Sequence, residues 1–154
     1  MASGGVIEPP KGYQKRTWEV CRKYDVLYIS DEVVTGFGRL GEIFASEPVF
    51  DIVPDIITSA KGLTSGYVPL GAFFVSDRLY ERLTGPDGKG KYFTNGFTYS
   101  AHPVACAAGL KSLEIIEREN ILDHVRRTGP YFVDRKSTRL NSSHSGESRM
   151  PSSA

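Results

Sequence analysis

The sequence is poor in cysteine, in net charge and in long apolar runs. Two cysteines, Cys21 and Cys106, are too few for a disulfide framework, which indicates a reducing, cytoplasmic setting. The formal net charge of +1 gives no general attraction to nucleic acid. Apolar runs such as Val26–Ile29 are far shorter than the roughly 20 residues that a membrane helix needs, and no secretory leader opens the chain. We therefore expect neither nucleic acid nor a membrane as a partner.

The composition changes at Asp134. Residues 134–154 hold seven serines, four Lys or Arg and two Asp or Glu, with no helical or strand periodicity. Such a segment buries too little apolar surface to offset its ordering entropy. The stretch DRKSTRLNSSH also resembles a sequencing or cloning adapter, so we expect residues 1–133 to fold and residues 134–154 to be a disordered, non-native tail. The glycine- and proline-rich start, MASGGVIEPP, suggests a fragment that is cut at both ends.

Hydrophobic spacing predicts helices that alternate with short, buried, apolar strands. The predicted helices are Lys11–Tyr24, Arg78–Leu83, Pro103–Glu119 and Ile121–Phe132, and the predicted strands are Val26–Ser30, Asp55–Ala60 and Leu70–Ser76. This alternation is typical of an α/β fold with a largely parallel sheet. Three strands are few for such a sheet, which again favours a piece of something larger.

Charged residues follow two of the predicted strands. Asp31 ends the first strand and Lys61 directly continues the second. In open α/β sheets, ligands bind outside the carboxyl ends of the strands. A lysine there that is cut off from water must find a partner or lose its proton, and a neutral lysine is an amine nucleophile. A pyridoxal phosphate enzyme needs such an amine and an acid near the ring nitrogen, although the spacing alone leaves helix capping and loop solvation as alternatives.

Three ordered sequence blocks resemble one family. ISDEVVTGFGRLG (29–41), PDIITSAKGLTSGYVPLGA (54–72) and GFTYSAHPVACAAGL (96–110) are similar to the class III, pyridoxal-phosphate-dependent aminotransferases. The resemblance covers roughly residues 4–132. It implies that the chain is part of the large domain of a fold-type I enzyme. It also implies transfer of an amino group from an amine or ω-amino acid to a keto acid.

The resemblance also implies roles for four residues. Asp31 resembles the carboxylate that pairs with the pyridine nitrogen, and Val33 the side chain that packs on the ring, although plain core packing is an alternative for Val33. Lys61 resembles the lysine that forms the Schiff base with the cofactor and then moves the substrate proton. Thr98 resembles the threonine that binds the cofactor phosphate in the neighbouring subunit, which implies a homodimer; an ordinary loop hydroxyl is the alternative.

Departures from the family pattern limit what the chain does alone. We find no match to the glycine-rich segment that caps the phosphate, to the ring-stacking aromatic residue or to the small domain with its carboxylate-binding arginine. We therefore expect the isolated chain to be inactive. GFTYSAHPV resembles the subgroup that uses pyruvate as acceptor. An aminomutase of the same fold and a non-catalytic fragment that only associates with a partner chain are the alternatives.

Other patterns carry less weight. Gly36–Gly41 fits the glycine spacing of a dinucleotide-binding loop, which leaves a dehydrogenase fragment as a third alternative, but no long amphipathic helix follows. Gly85–Lys91 nearly fits a phosphate-binding loop, but Tyr92 stands where Ser or Thr is needed. His102 is expected to be structural. The cysteines and histidines show no metal-ligand spacing, so no metal is expected.

Overall fold

The computed structural model describes residues 7–85 and 92–142. Its helices are α1 (Tyr13–Lys23), α2 (Asp77–Thr84), α3 (Pro103–Arg118) and α4 (Ile121–Ser142), and its strands are β1 (Ile29–Asp31), β2 (Ile56–Ser59) and β3 (Ala72–Val75). A short 3₁₀ turn, Lys61–Thr64, follows β2. Each helix and strand overlaps one that the sequence predicts, so the α/β class is confirmed.

The sheet is mixed, in the order β1-β2-β3. β1 and β2 are parallel, with Asp31 opposite Thr58, as the largely parallel prediction requires. β3 runs antiparallel to β2, with Ser59 opposite Ala72. A parallel connection usually needs a crossover helix. Between β2 and β3 the chain makes only the 3₁₀ turn and an irregular return, so β3 comes back along β2 in the opposite direction.

The prediction that the strands are buried is wrong for β1 and β3. Ile29 in β1 is 57% exposed and Phe73 in β3 is 49% exposed. The hydrophobic core lies beyond the strand ends, where Phe37, Leu63 and Ile116 form its buried centre. α3 packs on the 3₁₀ turn and on α4, so it covers the loops at the sheet edge that carry the candidate site.

An ion-pair cluster ties two helices to the opposite edge of the sheet. The buried Asp55 carboxylate accepts from Arg22 of α1 at 3.2 Å, from Arg78 of α2 at 2.5 Å and from the Tyr28 backbone N–H at 2.9 Å. Burial by itself would raise the pKa of Asp55. The Tyr28 hydrogen bond and the two arginines outweigh burial and hold that pKa below its ordinary value.

α4 continues through the predicted boundary at Asp134. The helix contains Pro130 and extends to Ser142, and residues 143–154 lie outside the described range. The division into a folded part, 1–133, and a non-native tail, 134–154, stays a prediction. None of the helices in the described ranges combines the length and the apolarity that a bilayer crossing requires.

Candidate active site

The ends of β1 and β2 place Asp31 and Lys61 at the same edge of the sheet. The two strands are parallel, and Asp31 pairs with Thr58, which precedes Lys61 by three residues. Parallel strands present their carboxyl ends at one edge, where α/β proteins bind ligands. Both side chains are exposed, so the structure leaves an acid and an amine accessible at neighbouring strand ends.

The Asp31 carboxylate is oriented by the turn that follows it. Its Oδ1 accepts from the Val33 backbone N–H at 3.0 Å, which is the local geometry of an Asx turn. Val33 is half-buried beside it. The contact fixes the direction of one carboxylate oxygen from within the chain.

Lys61 is exposed, which corrects the prediction that it continues a buried strand. β2 ends at Ser59, and Lys61 begins the 3₁₀ turn with a φ of 44°, in the left-handed region. That backbone conformation costs a non-glycine residue about 1–2 kcal/mol, and such strain is found mainly where the surrounding structure enforces it. The chain therefore leaves the sheet at Ala60 and carries the lysine out of the interior.

An open cleft of about 670 Å³ adjoins Lys61. Ala60, Thr64, Gly66 and residues 68–71 form the rest of its lining. The cleft is wide open to solvent, unlike ordinary small-molecule sites, which bury most of the ligand's surface. The amine thus borders an open cleft and not an enclosed pocket.

The loop after Asp31 and the turn after Lys61 are in direct contact. A Cβ added to Gly62 would lie 2.9 Å from Phe37 Cβ, a distance that only glycine allows. From the other side, Ser112 of α3 donates to the Gly62 carbonyl at 3.4 Å. The two segments that carry the acid and the amine therefore hold each other in place.

Glu32 is a site-supporting residue that the sequence analysis missed. It is 1% exposed, although it follows the exposed Asp31 directly. Its Oε2 accepts from Ala45 N at 2.7 Å and from Thr35 Oγ1 at 3.1 Å, and its Oε1 accepts from Ser46 N at 2.8 Å. Successive side chains of a strand point to opposite faces, and that alternation is the signal that could have placed Glu32 inward.

Thr98 lies in the segment that precedes α3, apart from the strand-end pair. It is exposed, and Phe97 beside it is 88% exposed. Within the part of the chain that the structure describes, no hydrogen bond joins its hydroxyl to Asp31 or Lys61. The fold brings Asp31, Val33 and Lys61 to one edge and leaves Thr98 on the surface.

The remaining sequence patterns have structural explanations where they are described. His102 Nδ1 accepts from the Val104 backbone N–H at 3.3 Å, so this histidine caps α3. No helix begins after the glycines at 36–41, which turn back through hydrogen bonds such as Gly41 N to Gly38 O. Residues 86–91 of the second glycine loop lie outside the described residues. Across residues 7–85 and 92–134, no His, Cys, Asp and Glu cluster could hold a metal ion.

The fold and the strand-end pair define the class of protein before any comparison. It is an α/β chain whose sheet edge presents an exposed carboxylate after one strand and, after the next, an exposed amine that borders a cleft.

Comparison with known proteins gives the family. The sequence model of the family "Aminotransferase class-III" matches residues 1–148. The chain belongs to the class-III aminotransferases.

Individual relatives agree with the family model. A Mycobacterium tuberculosis protein named as a probable aminotransferase is 52% identical over 83% of this chain and 27% of its own length. The mitochondrial gamma-aminobutyrate transaminase 1 of rice is 46% identical over 87% of this chain and 26% of its own. The solved structure of an amine transaminase from an uncultivated Pseudomonas species, in its PLP-bound form, superposes with a TM-score of 0.80 at 40% identity, over 90% of this chain and 31% of that one. The chain thus spans about a quarter of the length of the curated relatives that it matches.

Proposed function

We propose that this chain carries the lysine and the pyridine-binding acid of a pyridoxal-phosphate-dependent aminotransferase. The reaction moves an amino group from an amine or ω-amino acid to a keto acid. The observation that carries the proposal is the exposed Asp31 and Lys61 at adjacent carboxyl strand ends. The names of the relatives support it, since one is a gamma-aminobutyrate transaminase and another is an amine transaminase in a PLP-bound form.

The residues present fit the cofactor. Pyridoxal phosphate needs an amine for its aldehyde carbon and an acid for its ring nitrogen, and it supplies an electron sink for the substrate carbon when bound. Lys61 and Asp31 are an amine and an acid at one sheet edge, and an open cleft adjoins Lys61. Asp31 would hold the ring nitrogen, Lys61 the aldehyde carbon, and the half-buried Val33 would flank the ring.

Lys61 then has a second task. Its Nζ is on a flexible four-carbon stem, and its exposure leaves that stem free to move. A released Lys61 Nζ would take the proton from the substrate carbon and deliver it to C4′ of the cofactor, which is general acid–base catalysis by a positioned amine.

A second copy of the chain is the partner that we propose for the Thr98 segment. Tyr92, Phe97 and Tyr99 are exposed around Thr98. Exposed apolar patches of this kind mark interaction sites. In a homodimer, this segment would lie against the neighbouring subunit, and the Thr98 hydroxyl would bind the cofactor phosphate of that subunit.

Several finer points belong to the same proposal. We propose a pyruvate-type acceptor, because GFTYSAHPV resembles the subgroup that uses pyruvate. We also propose that the isolated chain has no turnover, because it spans about a quarter of the length of its relatives. A cytoplasmic location rests on the cysteine content alone, and the rice relative is named as mitochondrial. An aminomutase and a non-catalytic fragment are the competing functions.

A chimera tests the function directly. The chain replaces the aligned segment of the rice relative, is loaded with pyridoxal phosphate and is given an amine donor without a keto acid. We expect one equivalent of pyridoxamine phosphate, detected by chromatography, and its return to pyridoxal phosphate when pyruvate is added. The Lys61→Ala chimera should give neither, and Lys111→Ala, at an exposed lysine on α3, is the matched control. An isomerised amino acid without a keto product would identify an aminomutase, and an inert chimera would contradict the proposal.

A further inference from the structure

Both sequence neighbours of Asp31 contact Ser46, which lies in the loop that follows β1. Ser46 Oγ donates its single proton to Glu32 Oε1 at 2.5 Å, and it lies 2.9 Å from Ser30 Oγ. Ser46 is itself buried. We call Ser30, Glu32 and Ser46 the strand-end clamp, because it holds the end of β1 on both sides of the exposed acid.

The Glu32 carboxylate is fully engaged in this clamp. A buried charge is costly unless hydrogen bonds compensate it. Four donors surround the two oxygens: the backbone N–H groups of Ala45 and Ser46 and the hydroxyls of Thr35 and Ser46. All four donors belong to the loop that follows β1. The hydrogen bonds that compensate the burial of Glu32 therefore all require one conformation of that loop.

The same turn carries the hydrogen bond that orients Asp31. The Glu32 backbone N–H donates to Thr58 O of β2 at 2.8 Å, and its carbonyl accepts from Gly36 N at 2.9 Å. Between these two anchors, the Val33 N–H donates to Asp31 Oδ1. A change in the position of Glu32 therefore moves the donor that Asp31 uses.

We infer that Glu32 is a positioning residue for Asp31. Its buried carboxylate fixes the turn at residues 32–35 and thereby holds the Asp31 carboxylate in one orientation beside the Lys61 turn. The consequence for cofactor binding rests on the proposed function. The positioning of Asp31 by Glu32 does not rest on it.

The charge and shape of glutamate matter at this position. Both oxygens accept hydrogen bonds, so a Gln side chain would turn its NH₂ group toward an N–H donor. That loss leaves a buried donor unsatisfied, which is a larger penalty than the hydrogen bond alone contributes. Glu32→Gln keeps the volume and removes only the second acceptor, so it is the variant of choice.

Amide hydrogen exchange, resolved by NMR on the 154-residue chain without cofactor, tests the positioning. In Glu32→Gln we expect exchange at Ala45, Ser46 and Val33 to accelerate by about tenfold, the equivalent of one charged hydrogen bond. Asp31→Asn is the matched control and should accelerate Val33 alone. If Glu32→Gln accelerates Ala45 and Ser46 but leaves Val33 at the native rate, Glu32 only holds its loop and the inference is wrong.

Ser46→Ala keeps the test decisive if Glu32→Gln does not fold. This variant retains the two backbone donors to Glu32 and removes the Ser46 hydroxyl, which donates to Glu32 Oε1 and contacts Ser30. A smaller acceleration at Val33, of two- to threefold, supports the inference, and an unchanged Val33 overturns it. The estimate takes the smallest net contribution of a hydrogen bond, about 0.5 kcal/mol, because the two backbone donors to Glu32 remain.

The visible absorption of pyridoxal phosphate bound to the chimera gives a second readout. We expect Glu32→Gln to shift the pH profile of the absorption band in the same direction as Asp31→Asn, by a smaller amount. An unshifted profile in Glu32→Gln, alongside a shifted one in Asp31→Asn, contradicts the inference. If wild-type Lys61 does not bind the cofactor, the proposed function fails, while the exchange at Val33 still decides the role of Glu32.

Discussion

The strand-end region and the Thr98 segment differ in how the chain supports them. Around Asp31 and Lys61, buried side chains such as Glu32, Phe37 and Leu63 fix the backbone from within the chain. Around Thr98, the aromatic side chains are exposed, and the hydrogen bond from Phe97 N to Ser100 Oγ, at 2.8 Å, is local. The chain therefore supports one part of the candidate site from within and leaves the other part exposed on its surface.

The largest expected effect comes from matched phenylalanine variants, one in each region. Phe37→Ala removes the ring that packs between the Asp31 loop and the Lys61 turn, and we expect a loss of about 3 kcal/mol in the free energy of unfolding. Phe97→Ala should change it by less than about 0.5 kcal/mol, because that ring is exposed. Urea denaturation of both variants measures the difference. Equal losses would mean that the two regions are equally well packed, which would contradict the difference in support described above.

Asp55→Asn separates the two edges of the sheet. Its arginine partners are partly exposed, so we expect a loss of about 2 kcal/mol in the free energy of unfolding, within the range for hydrogen bonds to charged groups. Val33 lies at the opposite edge of the sheet. Its amide exchange rate, divided by the rate expected from global unfolding, should be the same in Asp55→Asn as in the native chain.

The pH dependence of Asp55 has a definite sign. The pKa of Asp55 is lowered in the folded state, whereas the pKa of an aspartate in an unfolded chain is about 3.9. Its contribution to stability is therefore complete above about pH 4 and is lost as the pH falls through the folded pKa. Denaturation from pH 7 to pH 3 should show this loss in the native chain and a smaller one in Asp55→Asn. Identical pH profiles of stability in the native chain and in Asp55→Asn would show that Asp55 does not contribute to the loss of stability in acid.

Gly62→Ala tests the contact between the Asp31 loop and the Lys61 turn. The added Cβ would lie 2.9 Å from Phe37 Cβ, so we expect a loss of about 1–2 kcal/mol from overpacking. Gly71→Ala is the control, since its Cβ would make an ordinary contact at 3.5 Å from Ser59 O. The urea midpoints of the pair decide, and a neutral Gly62→Ala would show that the two segments do not press on each other.

Thr98→Ala has the smallest expected effect on stability. The hydroxyl is exposed, so the free energy of unfolding should change by less than about 0.5 kcal/mol. In the chimera, we expect about tenfold weaker binding of pyridoxal phosphate, and unchanged binding of pyridoxal, which has no phosphate. Equilibrium dialysis with both compounds makes the comparison. Equal weakening for both would exclude a phosphate role for Thr98.

Hydrophobic spacing was sufficient to predict the α-helices, the strands and the edge at which Asp31 and Lys61 lie. The apolar runs before Asp31 and Lys61 are real strands, and their parallel pairing brings the two residues to one edge. Sequence patterns did not predict the direction of β3, because the 3₁₀ turn after Lys61 is too short to be seen as an alternative to a crossover helix.

Burial was harder to predict than position. Lys61 was expected in the interior because it follows an apolar run, but β2 stops at Ser59 and a left-handed residue turns the chain outward. Glu32 was missed for the opposite reason. An acid beside an acid at a strand end is typical of a solvated loop, and its four donors come from side chains and amides up to 14 residues away.

Covalent capture of the cofactor tests the central claim most directly. The protein is mixed with pyridoxal phosphate, reduced with borohydride, digested and mapped by mass spectrometry. The account predicts a pyridoxyl group on Lys61 in the chimera, none after Lys61→Ala, and full labelling after Lys111→Ala. Labelling that spreads over other exposed lysines, or none at Lys61 when the rest of the enzyme is supplied, would contradict it.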